Sequence, residues 1–173
     1  MIFVTVGTQL AFDRMVKGVD EWAGSRGRTD VFAQIGPTAF KPRHLQAQDF
    51  ITPAECREKM LASRAIVAHA GMGTIIGALE LGKPLLIMPR RASLGEQRND
   101  HQLATARRFA ELGQVTVAFD ENELSARLDE LETMAFKDRI SPYASPRLLA
   151  AVRAFIKGEA LPGPVRTPQS AKA

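Results

Sequence analysis

The sequence is poor in several things, and each scarcity narrows its function. Cys56 is its only cysteine in 173 residues. That excludes a disulfide framework and fits a reducing setting. Cys56 lies in the helix-like PAECREKML, where nothing argues for a lowered thiol pKa, so it is read as a packed or half-exposed helix residue. There is one tryptophan and one tyrosine, too few for a base-stacking platform. The net charge is +4, but the basic residues form no block. This argues against nucleic acid and suits attraction to a diphosphate or an anionic membrane surface. No basic segment precedes the apolar IFVTV, so no secretory signal is read. No apolar run reaches the length of a membrane span.

Several catalytic patterns are missing too. G-x-G-x-x-G fails because Ile76, not glycine, stands three residues after Gly73, which speaks against a dinucleotide fold. There is no G-x-S-x-G elbow and no P-loop. His44, His69 and His101 are far apart and lack the spacing of a metal site.

What is present alternates. Residues 1–8 read as a buried strand, 12–23 as a helix, 31–35 as a strand and 49–51 as a short strand. A helix follows from Pro53 to about 63, capped by Thr52 with Glu55 behind it. AIVAHA (65–70) is a strand, and the turn after it opens a helix that stops at Gly82. PLLIMP (84–89) is a strand, followed by a polar loop and a helix over 101–112. A strand over 115–119, a helix in ENELSARLDELET and a helix over 146–157 complete the order. Such alternation implies a Rossmann-like α/β domain, with a mostly parallel sheet and helices on both faces. One domain is expected over 1–158, with a disordered tail over 159–173. The last helix carries Leu148, Leu149, Val152, Phe155 and Ile156 as an apolar stripe, whose default role is to close the domain's own core.

Ligands of open α/β sheets lie beyond the carboxyl ends of the strands. Three strand ends carry suitable residues: Gly7-Thr8-Gln9, His69 to Thr74, and Arg90-Arg91 with the loop behind them. In HAGMGT, Gly71 and Gly73 permit close backbone approach, and Thr74 begins a helix whose first amides favour an anion. A plain glycine turn fits the spacing equally well. In NDHQ, Asp100 can cap the next helix, while His101 and Gln102 face the strand ends.

The stretch AHAGMGTIIGALELGKPLLIMPRRASLGEQRNDHQLATARRFAELG, with the opening MIFVTVGTQLAFDRMV, resembles the carboxyl-terminal domain of glycosyltransferase family 28. Within that family it resembles the catalytic subunit of the two-part dolichol-linked N-acetylglucosaminyltransferase and its bacterial relatives in exopolysaccharide synthesis, and also the donor half of the peptidoglycan enzyme that adds N-acetylglucosamine. The combination of VGT, HAGxGT, GKP and DHQ in this order carries the resemblance. It implies the donor-binding half of a GT-B fold, a UDP-sugar donor, inversion at the anomeric carbon and no cofactor or metal. It also implies a membrane-anchored, acceptor-binding partner subunit and a lipid-linked sugar acceptor. The chain would then act at the cytoplasmic face of a membrane through that partner. By position, Gly7 and Thr8, then His69, Gly71, Gly73 and Thr74, fall on the phosphate side, and Asp100, His101 and Gln102 on the donor sugar. The acidic residue the family often carries for the ribose is Gly77 here; Glu80, one turn later on a similar face, is the candidate substitute, and a solvated helix residue is the equal alternative. Arg90 and Arg91, at the ligand edge of the sheet, are candidates for a donor-sugar carboxylate, or else face the diphosphate or the partner subunit. His69 and His101 are candidate bases. A non-catalytic nucleotide-sugar-binding subunit and a nucleotide-dependent oxidoreductase or epimerase are the alternatives.

Overall fold

A computed structural model describes residues 1–135 and 139–160. The expected tail therefore lies almost wholly outside the described residues. The elements run β1 (Ile2–Thr5), α1 (Asp13–Ser25), β2 (Val31–Gln34), β3 (Gln46–Gln48), α2 (Pro53–Ala62), β4 (Ala65–His69), α3 (Met72–Glu80), β5 (Leu85–Met88), α4 (His101–Glu111), β6 (Thr116–Val117), α5 (Glu121–Thr133) and α6 (Pro146–Lys157). Apart from a 3-10 turn at Ala92–Leu94, this is the alternation read from the sequence.

All strand pairs are parallel, and the sheet order is β3-β2-β1-β4-β5-β6. The strands are short apolar runs because both faces of the sheet are covered. Ile2, Val4 and Val6 point to one face, against α1 and α5 residues such as Met15, Val19, Leu124 and Leu128. Phe3, Ile66, Ala68 and Ile87 point to the other, against Met60 of α2, Ile75 of α3 and Ala106 of α4. At α2, Thr52 forms the expected capping box with Glu55.

One strand is misplaced by the sequence reading. β3 is Gln46–Gln48, not 49–51. It pairs with β2 in the register Phe32↔Gln46 and Gln34↔Gln48. As an exposed edge strand of Gln-Ala-Gln it carries no apolar signal. Phe50 and Ile51 lie past its end instead.

The chain divides into a unit of Met1–Ile140 and a second unit beginning at Ser141. The first unit holds the sheet. In the second, α6 runs from a Ser145 cap to Gly158 at φ 69°, and Leu148, Leu149, Val152, Phe155 and Ile156 are exposed.

Candidate functional site

From β1 the chain steps outward to β2 and β3 on one side. On the other side β4, β5 and β6 follow. The crevice between the carboxyl ends of β1 and β4 is thus the topological switch point of the sheet. A cavity of about 500 Å³ lies there, a size suited to a small-molecule ligand.

Three of its walls come from residues singled out in the sequence. The first is the turn after β1, with Gly7, Thr8 and Gln9; the second is the turn after β4, with His69, Gly71, Gly73 and Thr74; the third is Arg90, His101 and Gln102. Gly7 has φ +77°, a conformation suited to glycine alone. Its neighbour across the crevice is the His69 ring: a Cβ on Gly7 would lie 2.7 Å from Cε1, and one on Gly71 would overlap Nε2. The imidazole is therefore a wedge between the two glycine turns. Burial, then the nearby charge of Arg90, push its pKa down to about 4. Its Nδ1 is buried with no hydrogen-bond partner among the described residues. His69 is thus neutral near pH 7 and a poor base. Gly73 differs, since a Cβ there would meet nothing within 4 Å. The amino terminus of α3 opens at this turn, with Gly71 at the cap.

His101 is arranged for another role. Asn99 Oδ1 accepts from the His101 backbone amide at 3.2 Å and faces the ring Nδ1 at 2.5 Å. An amide oxygen only accepts, so Nδ1 is the donor in this contact and Nε2 is the ring nitrogen it leaves unengaged. The exposed His101 also lines a second groove of about 520 Å³, with Gln9, Leu10, Gln97, Arg98 and Asn99. It stands at the seam of the two spaces. Buried Gln102 accepts the Arg90 amide at 3.2 Å through Oε1, leaving its NH2 for a ligand.

Four expectations change. Arg90 is buried, and its guanidinium donates to the carbonyls of Val6, Leu10 and Ala11. It has no fork left for a sugar carboxylate. Arg91 turns away from the cavity and donates to Phe119 O at 2.9 Å. The Asp100 side chain does not cap α4; it accepts the Ala92 amide at 2.9 Å, which ties down the preceding loop, and it does not line the cavity. Glu80 ends α3, at the opposite end from Gly73 and Thr74, and does not line the cavity either. At Gly77, on the same helix, a Cβ would lie 3.3 Å from Met60 Cε.

The fourth wall was missed. Phe50, Ile51, Pro53 and Cys56 complete the cavity. The Cys56 thiol pKa is raised by burial, which agrees with an inert packed cysteine. Gln34 joins the two sides of this wall. It accepts from Thr5 Oγ1 at 2.7 Å and donates to the carbonyls of Gly7 and Asp49, each at 3.0 Å. Its one signal in the sequence is a polar residue in a strand that is otherwise apolar. Among the described residues no Asp or Glu lines the cavity, and none forms a group of three or more His, Cys, Asp or Glu that could hold a metal.

Comparison with known proteins fits this geometry. The human UDP-N-acetylglucosamine transferase subunit ALG13 is 27% identical over 122 residues, 65% of this chain and 10% of the relative. The mouse protein of that name is 26% identical over 121 residues, 64% of this chain and 10% of the relative. The chain thus spans about a tenth of their length. An NMR structure of ALG13 superposes with TM-score 0.57 at 22% identity, covering 82% of this chain and 90% of that one. The glycotransferase of kitacinnamycin gives 0.57 at 18%, covering 77% and 35%. A UDP-N-acetylglucosamine 2-epimerase from Listeria monocytogenes gives 0.58 at 16%, covering 93% and 46%. These structures share the fold. Residues 1–148 match the glycosyltransferase family 28 C-terminal domain, and the chain belongs to that family.

Proposed function

We propose that this chain holds the UDP-sugar donor of a glycosyltransferase and transfers the sugar to a lipid-linked acceptor supplied by a membrane-anchored partner subunit. One observation carries the donor assignment: the switch-point cavity has two glycine turns, a helix amino terminus, the cation Arg90 and, among the described residues, no lining carboxylate. That is an environment for a diphosphate. The name of the ALG13 relatives, a UDP-N-acetylglucosamine transferase subunit, supports UDP and a multi-subunit enzyme.

The nucleotide's phosphates would lie between the turns at Gly7 and Gly71, with the base toward Phe50 and Ile51. The sugar would lie toward Gln102 and His101. Transfer with inversion takes one displacement: the acceptor oxygen bonds to the anomeric carbon, and the bond to UDP breaks with its electron pair going to the diphosphate. On this chain, His101 Nε2 is the nitrogen placed to accept the hydroxyl proton. No residue here is assigned to a metal, and EDTA should leave UDP binding unchanged. No helix among the described residues is long and apolar enough to cross a membrane. We place the chain at the cytoplasmic membrane surface through its partner, in exopolysaccharide or related glycan synthesis.

The 2-epimerase shares this fold, so fold does not choose the reaction. A thermal-shift and calorimetric series with UDP, UDP-N-acetylglucosamine, UDP-glucose, UDP-glucuronate and NAD tests the site. UDP compounds should stabilise the protein by roughly 2.7 kcal/mol at 100 times their Kd, and NAD should not. Equal response to NAD, or conversion of the UDP-sugar to its epimer, would overturn the reading.

A further inference from the structure

Arg90 follows β5 and is 2% exposed. Its Nη2 donates to Val6 O at 2.8 Å and Leu10 O at 2.6 Å, and its Nη1 to Ala11 O at 2.5 Å. The guanidinium rests over the Phe12 ring at 4.7 Å. These partners bracket one segment, residues 6–11, whose Gly7, Thr8 and Gln9 line the cavity. The fork of five N–H groups on a rigid plane is what lets one side chain collect three carbonyls. Among the described residues no carboxylate is bonded to it. The nearest, Glu96, gives both oxygens to Arg14 at 2.9 Å, and one of them also to the Arg91 amide. Only its backbone carbonyl reaches Arg90, at 3.4 Å. The buried charge of Arg90 is therefore met by carbonyl dipoles and the Phe12 ring, with the Glu96 carboxylate acting on it only through space, at the wall of a cavity with no lining carboxylate among the described residues.

We propose that Arg90 is the positioning residue of the donor site: it clamps the turn after β1 from behind, so that Gly7 and Thr8 are held ready for a ligand's phosphates. A buried cation with no carboxylate bonded to it is costly, and this one stands where an anionic ligand would add to the through-space charge of Glu96. The clamp needs the geometry of the fork. A lysine keeps the charge, but its donors radiate from a single nitrogen and do not reproduce the planar spread of the fork over these carbonyls. The base end of the cavity is built by Phe50, Ile51 and Cys56, which Arg90 does not hold. The clamp should therefore matter to ligands with phosphate and not to a bare nucleoside. This inference rests on the reading of the cavity as a UDP-sugar site.

The test is a ligand ladder. Affinities for UDP, UMP and uridine are measured for the parent, Arg90→Gln and Arg90→Lys. Both variants should lose UDP affinity by about tenfold or more, as expected for losing charge-assisted bonds. UMP should fall less, and uridine should stay within about twofold. An equal loss for all three ligands would mean a merely structural residue. Full UDP affinity in Arg90→Lys would mean that charge alone acts. Either outcome overturns the clamp. A second measurement needs no variant: amide relaxation of residues 7–11 in the ligand-free parent. Order parameters near 0.85 are expected for a held turn, and values below about 0.6 would overturn the proposal. If the parent binds UDP no better than uridine, it is the donor reading that fails, and the relaxation experiment still decides the clamp.

Discussion

Gly71 and Gly73 stand in the same turn, yet a side chain would act differently at each. At Gly71 it would strike the His69 ring, so a substitution disturbs the turn itself. At Gly73 it would meet nothing of the protein and would project at the wall of the cavity. Gly73→Val should therefore keep the fold and abolish UDP binding. A variant with the parent's melting temperature and the parent's UDP affinity would show that this glycine serves only the turn. His69 carries a second residue-scale prediction. Its folded pKa of about 4 lies below the ordinary 6.5, so the native state prefers the neutral ring. Its stabilising contribution is complete above about pH 6.5 and is lost as pH falls toward 4. The lost part is up to about 3 kcal/mol. Urea unfolding of the parent and of His69→Asn across pH 7 to 4 would show it. The parent should lose more stability than the variant over that window, and parallel curves would contradict the neutral wedge.

At the scale of elements, α3 separates what is at the site from what only looks near it in sequence. Its first turn reaches the cavity, and Glu80 is its last residue. Six residues of helix put Glu80 about 9 Å along the axis from Thr74. Glu80→Gln should thus leave UDP affinity unchanged in calorimetry; a loss of about 1–3 kcal/mol would return the ribose to Glu80. Sequence spacing suggested Glu80 because one helical turn keeps a residue on the same face, but it also moves it along the axis, away from a ligand at the helix end. The same contrast explains what was legible elsewhere. IFVT, AIVAH and LLIM announce buried parallel strands by their lack of polar residues, and the glycine turns after β1 and β4 announce a close approach. β3 is silent because an edge strand of Gln-Ala-Gln buries nothing. The wall at Phe50, Ile51 and Cys56 was hidden because β3 pairs outside β2, and only that pairing brings the following loop to the crevice. Arg90 was visible as an arginine at a strand end. Its direction, inward to three carbonyls, belongs to tertiary structure.

On the scale of the whole molecule, every residue that lines the cavity comes from the first unit, between Thr5 and Gln102. The strand ends supply its floor, and its rim at Thr8, Gln9, Phe50, Gly73 and His101 is exposed. Such a site can bind a nucleotide from one side. Sugar transfer asks for more: the acceptor hydroxyl must be held about 3–3.5 Å from the anomeric carbon, in line with the breaking bond, and water must be kept away. His101 can take a proton but cannot hold a lipid-linked sugar, and among the described residues the groove beside it has Arg98 as its one residue of permanent charge. The opposing wall must therefore come from another surface. The isolated polypeptide should bind UDP-sugar yet transfer nothing to a lipid-linked acceptor, and transfer should appear when the acceptor-side membrane subunit is added. Loss of UDP from the donor, followed with and without that subunit in the same vesicles, measures this. Robust transfer by the isolated, homogeneous chain would refute the expectation. The missing wall would then be a second copy of this chain, and activity would fall with dilution as the copies separate.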